Sequence, residues 1–280
     1  METGRPSRTA LGVARRRAVH QVLDQPPPVL NDPIAIPLLG REFTYDPETE
    51  SSRYARAFRA FMVARSRLAE DQLALAAADG VSQYVVLGAG LDTFAYRNPL
   101  PHIRVFEVDF PATQQWKRSL LASASIPIAA NLTFVPLDFE HMSLAEGLAA
   151  AAFDPTRPTF LGWLGVVPYL SLPAFRSTLE FIGRLPPGSG VCFDFAQPPE
   201  SIEPRFLPAF QALAARVAAA GEPFRLFFTP DQLRQEFQTA GFTRIEIRTP
   251  GEINDMYFAG RSDGLTMPRG GVGMFATAFK

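Results

Sequence analysis

An α/β fold built on a mostly parallel sheet is predicted by three features of this chain. The run Gln83-Tyr84-Val85-Val86-Leu87 is short, apolar and rich in β-branched and aromatic residues, the pattern of a buried strand. It stops at Gly88-Ala89-Gly90, where two glycines let the backbone turn sharply and approach a ligand closely before the chain restarts as a helix. A second apolar run, Arg104 to Asp109, ends in a carboxylate about twenty residues further on, the spacing at which an acidic residue meets a ribose diol. Two carboxylate oxygens accept both hydroxyl hydrogens. A dinucleotide fingerprint wants a third glycine where this chain has Thr93, so a ribose-bearing ligand without phosphates is favoured.

Taken in order, residues 1 to about 50 carry many prolines, and Pro26-Pro27-Pro28 ends a first helix predicted over Thr9 to Leu23. Asn31-Asp32-Pro33 reads as a turn or a helix start, with a purely structural turn favoured over the alternative in which Asp32 is a cap and Pro33 the first helical position. A long helix follows from Tyr54 to Ala78, whose face Tyr54, Phe58, Phe61, Leu68 and Gln72 also carries Arg65. Arg56 and Arg67 point away from it. An unpaired buried guanidinium is costly, so Arg65 is expected to meet an anion. Residues 1–78 form an N-terminal helical cap within the same domain, and residues 79–280 form the core.

Beyond the glycine loop, a short helix or turn is predicted over Thr93 to Asn98, a helix over Pro111 to Ala124 and a strand over Leu132 to Asp138. The fourth strand begins at Thr159. Pro186-Pro187-Gly188-Ser189-Gly190 turns the chain into a fifth, Val191 to Phe195. An insert from Ala196 to Pro208 and an alanine-rich helix to Ala220 precede a capped helix from Thr229 to Ala240, which Gly241 ends. Thr243 to Arg248 and Gly273 to Phe279 read as the last two strands, an antiparallel edge pair, with a glycine-rich loop from Pro250 to Gly271 between them.

The composition, 280 residues with 47% hydrophobic and 20% charged, fits one large α/β domain. A net charge of −1 offers no field for nucleic acid or anionic membrane, which leaves a small-molecule substrate. Phe160 to Leu170 is too short to span a bilayer. The arginine-rich start lacks a signal-peptide core, so a cytoplasmic protein is expected. The single Cys192 lies in an apolar strand and reads as a small buried hydrophobe.

Leu87 to Thr93, Phe106-Glu107-Val108-Asp109-Phe110-Pro111, Asp138-Phe139, Trp163-Leu164-Gly165-Val166 to Tyr169-Leu170, and Asn31 to Ala35 occur together in this chain. In this combination it resembles the S-adenosylmethionine-dependent methyltransferases of the leucine carboxyl methyltransferase-like class. The resemblance implies a Rossmann-like class I methyltransferase fold with a seven-stranded sheet whose last strand is antiparallel. It also implies S-adenosylmethionine as cofactor and O-methylation, often of a carboxylate. It sets Arg65 against the methionine carboxylate and Asp109, with Phe110 beside it, at the ribose. Gly88, Ala89 and Gly90 form the loop beneath the cofactor, and Asp138 and Phe139 meet adenine. Leu164 departs from the pattern, because some relatives carry a glutamate there.

Three readings stay open from the residues themselves. Arg65 can instead form a structural salt bridge, and the chain can instead be a nicotinamide-dependent dehydrogenase or a module that binds the cofactor without catalysis. No metal is needed for methyl transfer. Neither His20, His102 nor His141 makes a convincing base, and Tyr169 beside Leu170 reads as packing. The acceptor and the oligomeric state are not readable from the sequence.

Overall fold

The computed structural model describes residues 8–138 and 142–280. Its helices are α1 (Arg8–Leu23), α2 (Ala35–Leu39), α3 (Pro47–Glu50), α4 (Arg53–Ala78), α5 (Pro111–Ser123), α6 (Leu144–Ala150), α7 (Leu172–Gly183), α8 (Leu207–Ala219), α9 (Pro230–Thr239) and α10 (Pro250–Tyr257). The strands are β1 (Gln83–Leu87), β2 (Arg104–Asp109), β3 (Leu132–Pro136), β4 (Thr159–Trp163), β5 (Gly190–Ala196), β6 (Arg244–Arg248) and β7 (Gly273–Phe279). They form one sheet in the order β3-β2-β1-β4-β5-β7-β6. β1 to β5 are parallel, with Gln83 opposite Arg104 on one side and Thr159 on the other. β7 runs antiparallel to both β5 and β6, so it fills the slot between them and β6 is the edge.

Burial on both sides of the sheet explains why the strands are near-continuous apolar runs. Along β5, Val191, Phe193 and Phe195 enter the core shared with Phe175 and Leu179 of α7 and Leu233 and Phe237 of α9. The alternate residue Cys192 faces the other core, formed with Ala64, Leu68 and Leu73 of α4. Burial pushes the Cys192 thiol up to about 12, which keeps it an inert hydrophobe. The long helix α4 is capped by Ser52, whose hydroxyl accepts from the Ala55 N–H, and its apolar face lies on the sheet. Among the described residues no helix is long and apolar enough to cross a membrane.

Four expectations are corrected. The helix expected directly after the glycine loop is no α-helix but, within the short helix or turn predicted over Thr93 to Asn98, a single 3-10 turn, Phe94–Tyr96. Asp32 caps nothing: its carboxylate is fully buried, accepts from the Thr93 hydroxyl at 2.7 Å and sits between Arg17 and Arg97, while α2 starts only at Ala35. The stretch after Pro250 is not all loop, because Thr249 and Glu252 form a capping box that starts α10. Three helices lie outside the predicted elements: α3, α6 and α7, which open on Asp46, Ser143 and Ser171 caps. Elsewhere the bounds agree closely, except that β3 stops at Pro136, before Asp138.

Candidate active site

The order of the sheet reverses between β1 and β4, and at such a switch point the strand ends splay apart to leave a crevice. A cavity of about 1430 Å³ opens there, lined by the carboxyl ends of β1, β2, β4 and β5. That exceeds the few hundred to 1,000 Å³ of a typical single-ligand pocket, leaving room for two ligands side by side. Arg65, Gly88, Ala89, Gly90, Asp109, Phe110 and Asp138 all line it. Phe139 and His141 lie outside the described residues.

Gly88 is needed at its position: its φ is +64°, and a Cβ there would stand 2.5 Å from a Val166 methyl group. The loop it begins is held by Asp109, whose carboxylate accepts from the Gly90 N–H at 2.5 Å and the Phe110 N–H at 2.6 Å. Burial raises the Asp109 pKa, and these two N–H groups oppose the rise. The two bonds use part of the acceptor capacity of the carboxylate, so a diol can still be held at the cavity edge. Glu107, two residues earlier, is not in the wall. It is buried against Lys117 at 2.6 Å and the Tyr96 hydroxyl, and burial pushes its pKa up to about 7 against the pull of Lys117.

Arg65 reaches the cavity as its helical face predicts, but it has a protein partner. Its Nη1 donates to Asp194 Oδ2 at 3.2 Å, while Asp194 Oδ1 accepts from the Gly165 N–H at 2.7 Å. The guanidinium packs so closely on the turn after β4 that a Cβ on Gly165, at φ +70°, would lie 2.7 Å from Nη1. Asp194 is a site residue that sequence reasoning missed. Its signal was present: a carboxylate on the Cys192 face of an apolar strand needs a cation, and α4 on that face supplies one. Leu164 lines the cavity too, so the wall is apolar where a glutamate stands in some relatives.

α1 roofs the glycine loop. Arg17 is buried and donates to Asp92 Oδ2 at 3.1 Å and to the Leu91 carbonyl, pinning the helix to the loop. Burial works to raise the Asp92 pKa, but Arg17, Lys117 and Arg97 outweigh it and hold the group ionised. Of the histidines, His20 is buried with Nδ1 2.8 Å from Asp24 and does not line the cavity, and His102 is exposed. Tyr169 is in the wall, its ring 5.3 Å from that of Phe224, and burial pushes its pKa up to about 12.

A sheet of this order with a glycine loop and an acid at the switch point defines a class I methyltransferase fold, and comparison with known proteins narrows it. The leucine carboxyl methyltransferase family matches residues 10–183, and the chain belongs to that family. YktD of Bacillus subtilis, a candidate S-adenosyl-L-methionine-dependent methyltransferase, is 36% identical over 190 residues, covering 67% of this chain and 62% of YktD. A counterpart from Mycobacteroides abscessus is 34% identical over 204 residues, covering 70% of this chain and 66% of the relative. The matched region thus spans slightly under two thirds of those relatives. Among solved structures, a candidate methyltransferase from Thermobifida fusca superposes with a TM-score of 0.58 at 21% identity, over 87% of this chain and 92% of the other. A DUF574 protein from Streptomyces avermitilis gives 0.55 at 21%, over 87% and 94%. At those identities they share the fold. S-adenosylmethionine is the cofactor that membership brings, and the cavity wall presents a carboxylate at the end of β2, a sharp glycine turn and a guanidinium, groups whose chemistry fits it.

Proposed function

We propose that this protein is a cytoplasmic S-adenosylmethionine-dependent O-methyltransferase that esterifies a carboxylate on a small molecule. The observation that carries the reading is the single cavity that joins the glycine loop, Asp109 and Arg65 to an apolar chamber walled by Phe58, Phe61, Phe210 and Phe224. Bound there, the cofactor supplies a methyl group already activated on a sulfonium. Asp109 holds the ribose hydroxyls, the free donors of Arg65 hold the methionine carboxylate, and Asp138 with Phe139 receives the adenine. Residues 1–78 act as a cap, with α1 pinned by Arg17 to exclude water.

The chain's own residues then orient the acceptor and desolvate it, since proximity and loss of water supply most of the acceleration in a displacement of this kind. A carboxylate is ionised near neutrality and needs no base. Tyr169 stays protonated there, so it can donate a hydrogen bond to the acceptor but cannot take its proton. A dinucleotide reading is weakened by the single 3-10 turn after Gly90, because a pyrophosphate is normally received by a helix N-terminus at that place.

The test is calorimetric titration with S-adenosylmethionine, S-adenosylhomocysteine and NAD, followed by methyl transfer to a panel of carboxylic acids and phenols. Binding of the first two without metal is expected, with a product released by mild alkali and a chemical step nearly flat from about pH 6 to 9. Tight NAD binding alone would reject the class. An alkali-stable ether, formed at a rate rising tenfold per pH unit, would reject the carboxylate.

A further inference from the structure

Phe58 stands seven residues before Arg65 on α4, so the two share a face and lie two turns, about 10 Å, apart. Two cations from other helices converge on its ring. Arg16 of α1 places its guanidinium carbon 4.5 Å from the ring centre, and Arg216 of α8 places its own at 5.9 Å. All three residues line the cavity. Among the described residues, no carboxylate comes within ion-pair distance of either guanidinium. The nearby Glu50 is held by Arg59 at 3.1 Å. Arg16 spends Nη1 on the Gly12 carbonyl at 3.1 Å, while its Nε is buried without a partner. Burial lowers the pKa of Arg16, the field of Glu50 opposes the fall, and that of Arg216 adds to it by less than Glu50 takes away.

Two like charges gathered on one ring repel each other, and Arg16 also keeps a buried Nε without a partner; an anion between the two guanidiniums would answer both. The aromatic ring supports both cations from its face and leaves their N–H edges for a ligand. Between this end and Arg65 the wall is aromatic: Phe61, Tyr169, Phe210 and Phe224, the last two rings stacked at 6.0 Å with 10° between planes. We propose that Arg16, Phe58 and Arg216 form a binding site for a second anionic group of the acceptor, carried on a flat apolar body and distinct from the carboxylate that is methylated. The inference deepens the proposed function and rests on it for the word acceptor. The substrate class is then an aryl or polyunsaturated acid that carries a further anionic group at the Arg16 and Arg216 end of the cavity.

The probes are 2-naphthoate and its neutral counterpart 2-naphthamide, titrated by calorimetry into the full chain saturated with S-adenosylhomocysteine, which occupies the cofactor end. Wild type should bind the acid at least tenfold more tightly than the amide. Arg16→Gln and Arg216→Gln should each weaken the acid at least fivefold and leave the amide within twofold, and Arg216→Lys should keep most of the preference. Arg216 is solvent-exposed on α8, so its variants test the site without burdening the fold. Equal binding of acid and amide by wild type, no binding of naphthoate at millimolar concentration, or a preference untouched in both glutamine variants would overturn the site. If S-adenosylhomocysteine does not bind but naphthoate shows the same arginine dependence without it, the anion site stands and the methyl-transfer reading falls.

Discussion

Replacing Asp194 with asparagine separates the two anions that Arg65 can serve. The Arg65 and Asp194 side chains are 9% and 6% exposed, so their contact is a buried ion pair. Removing one partner of such a pair commonly costs about 3–5 kcal/mol, because the other charge is left without compensation. The asparagine oxygen can still accept from the Gly165 N–H, now 2.7 Å from Oδ1, so the loss falls mainly on Arg65. Urea unfolding of the ligand-free variant should therefore show a stability about 3 kcal/mol below wild type. With saturating S-adenosylhomocysteine the gap should narrow by about 1 kcal/mol or more, since the freed guanidinium gains the carboxylate of the ligand and binding to the native state alone is stabilising. A decarboxylated analogue should not narrow it. If S-adenosylhomocysteine stabilises both proteins equally, Arg65 does not reach the methionine carboxylate. An unchanged unfolding midpoint would mean that the pair contributes nothing.

Asp109→Ala should weaken S-adenosylmethionine binding by about 2 kcal/mol or more in calorimetry, the scale of two hydrogen bonds to a charged group, whereas Glu107→Ala should lower stability rather than affinity. The reverse ranking would reject the ribose assignment. Because the folded pKa of Glu107 is about 7 against an ordinary 4.5, its contribution to stability is full below about pH 4.5 and lost as pH rises through 7. Glu107→Gln should lack that slope in urea titrations at pH 5 and 8, and parallel profiles for the two proteins would contradict it. Gly165→Ala should cost about 1–2 kcal/mol for the left-handed backbone alone and also weaken S-adenosylhomocysteine, as its Cβ displaces Arg65. A variant with wild-type melting and affinity would refute that packing.

The strands were legible because a parallel strand buried on both faces must be a continuous apolar run, and β1, β2 and β5 are such runs. The glycine loop and Asp109 were legible because their spacing follows from one strand–turn–strand unit. α10 was hidden although Thr249-Pro250-Gly251-Glu252 carries a capping box, since the glycines and prolines after it suggested a loop. What holds that segment is tertiary: Asn254 donates to the Met267 carbonyl at 2.7 Å and accepts from the Met267 N–H at 3.0 Å.

Periodicity put Arg65 on the cavity side of α4 and called for an anion, but its partner Asp194 is 129 residues away. The turn at Asp32 was legible, with the Ala35 N–H on the Asp32 carbonyl at 3.1 Å, but not that Arg17, Arg97 and Thr93 would claim its carboxylate. The meeting of Arg16, Phe58 and Arg216 left no mark in the sequence at all. Strand and turn patterns are set by neighbours in the chain, so the sequence by itself determined the strands and the glycine loop after β1. Which buried charge meets which is settled by the order of strands in the sheet and the helices laid across it, because only that packing brings distant side chains within a few ångströms in a place where water cannot screen them.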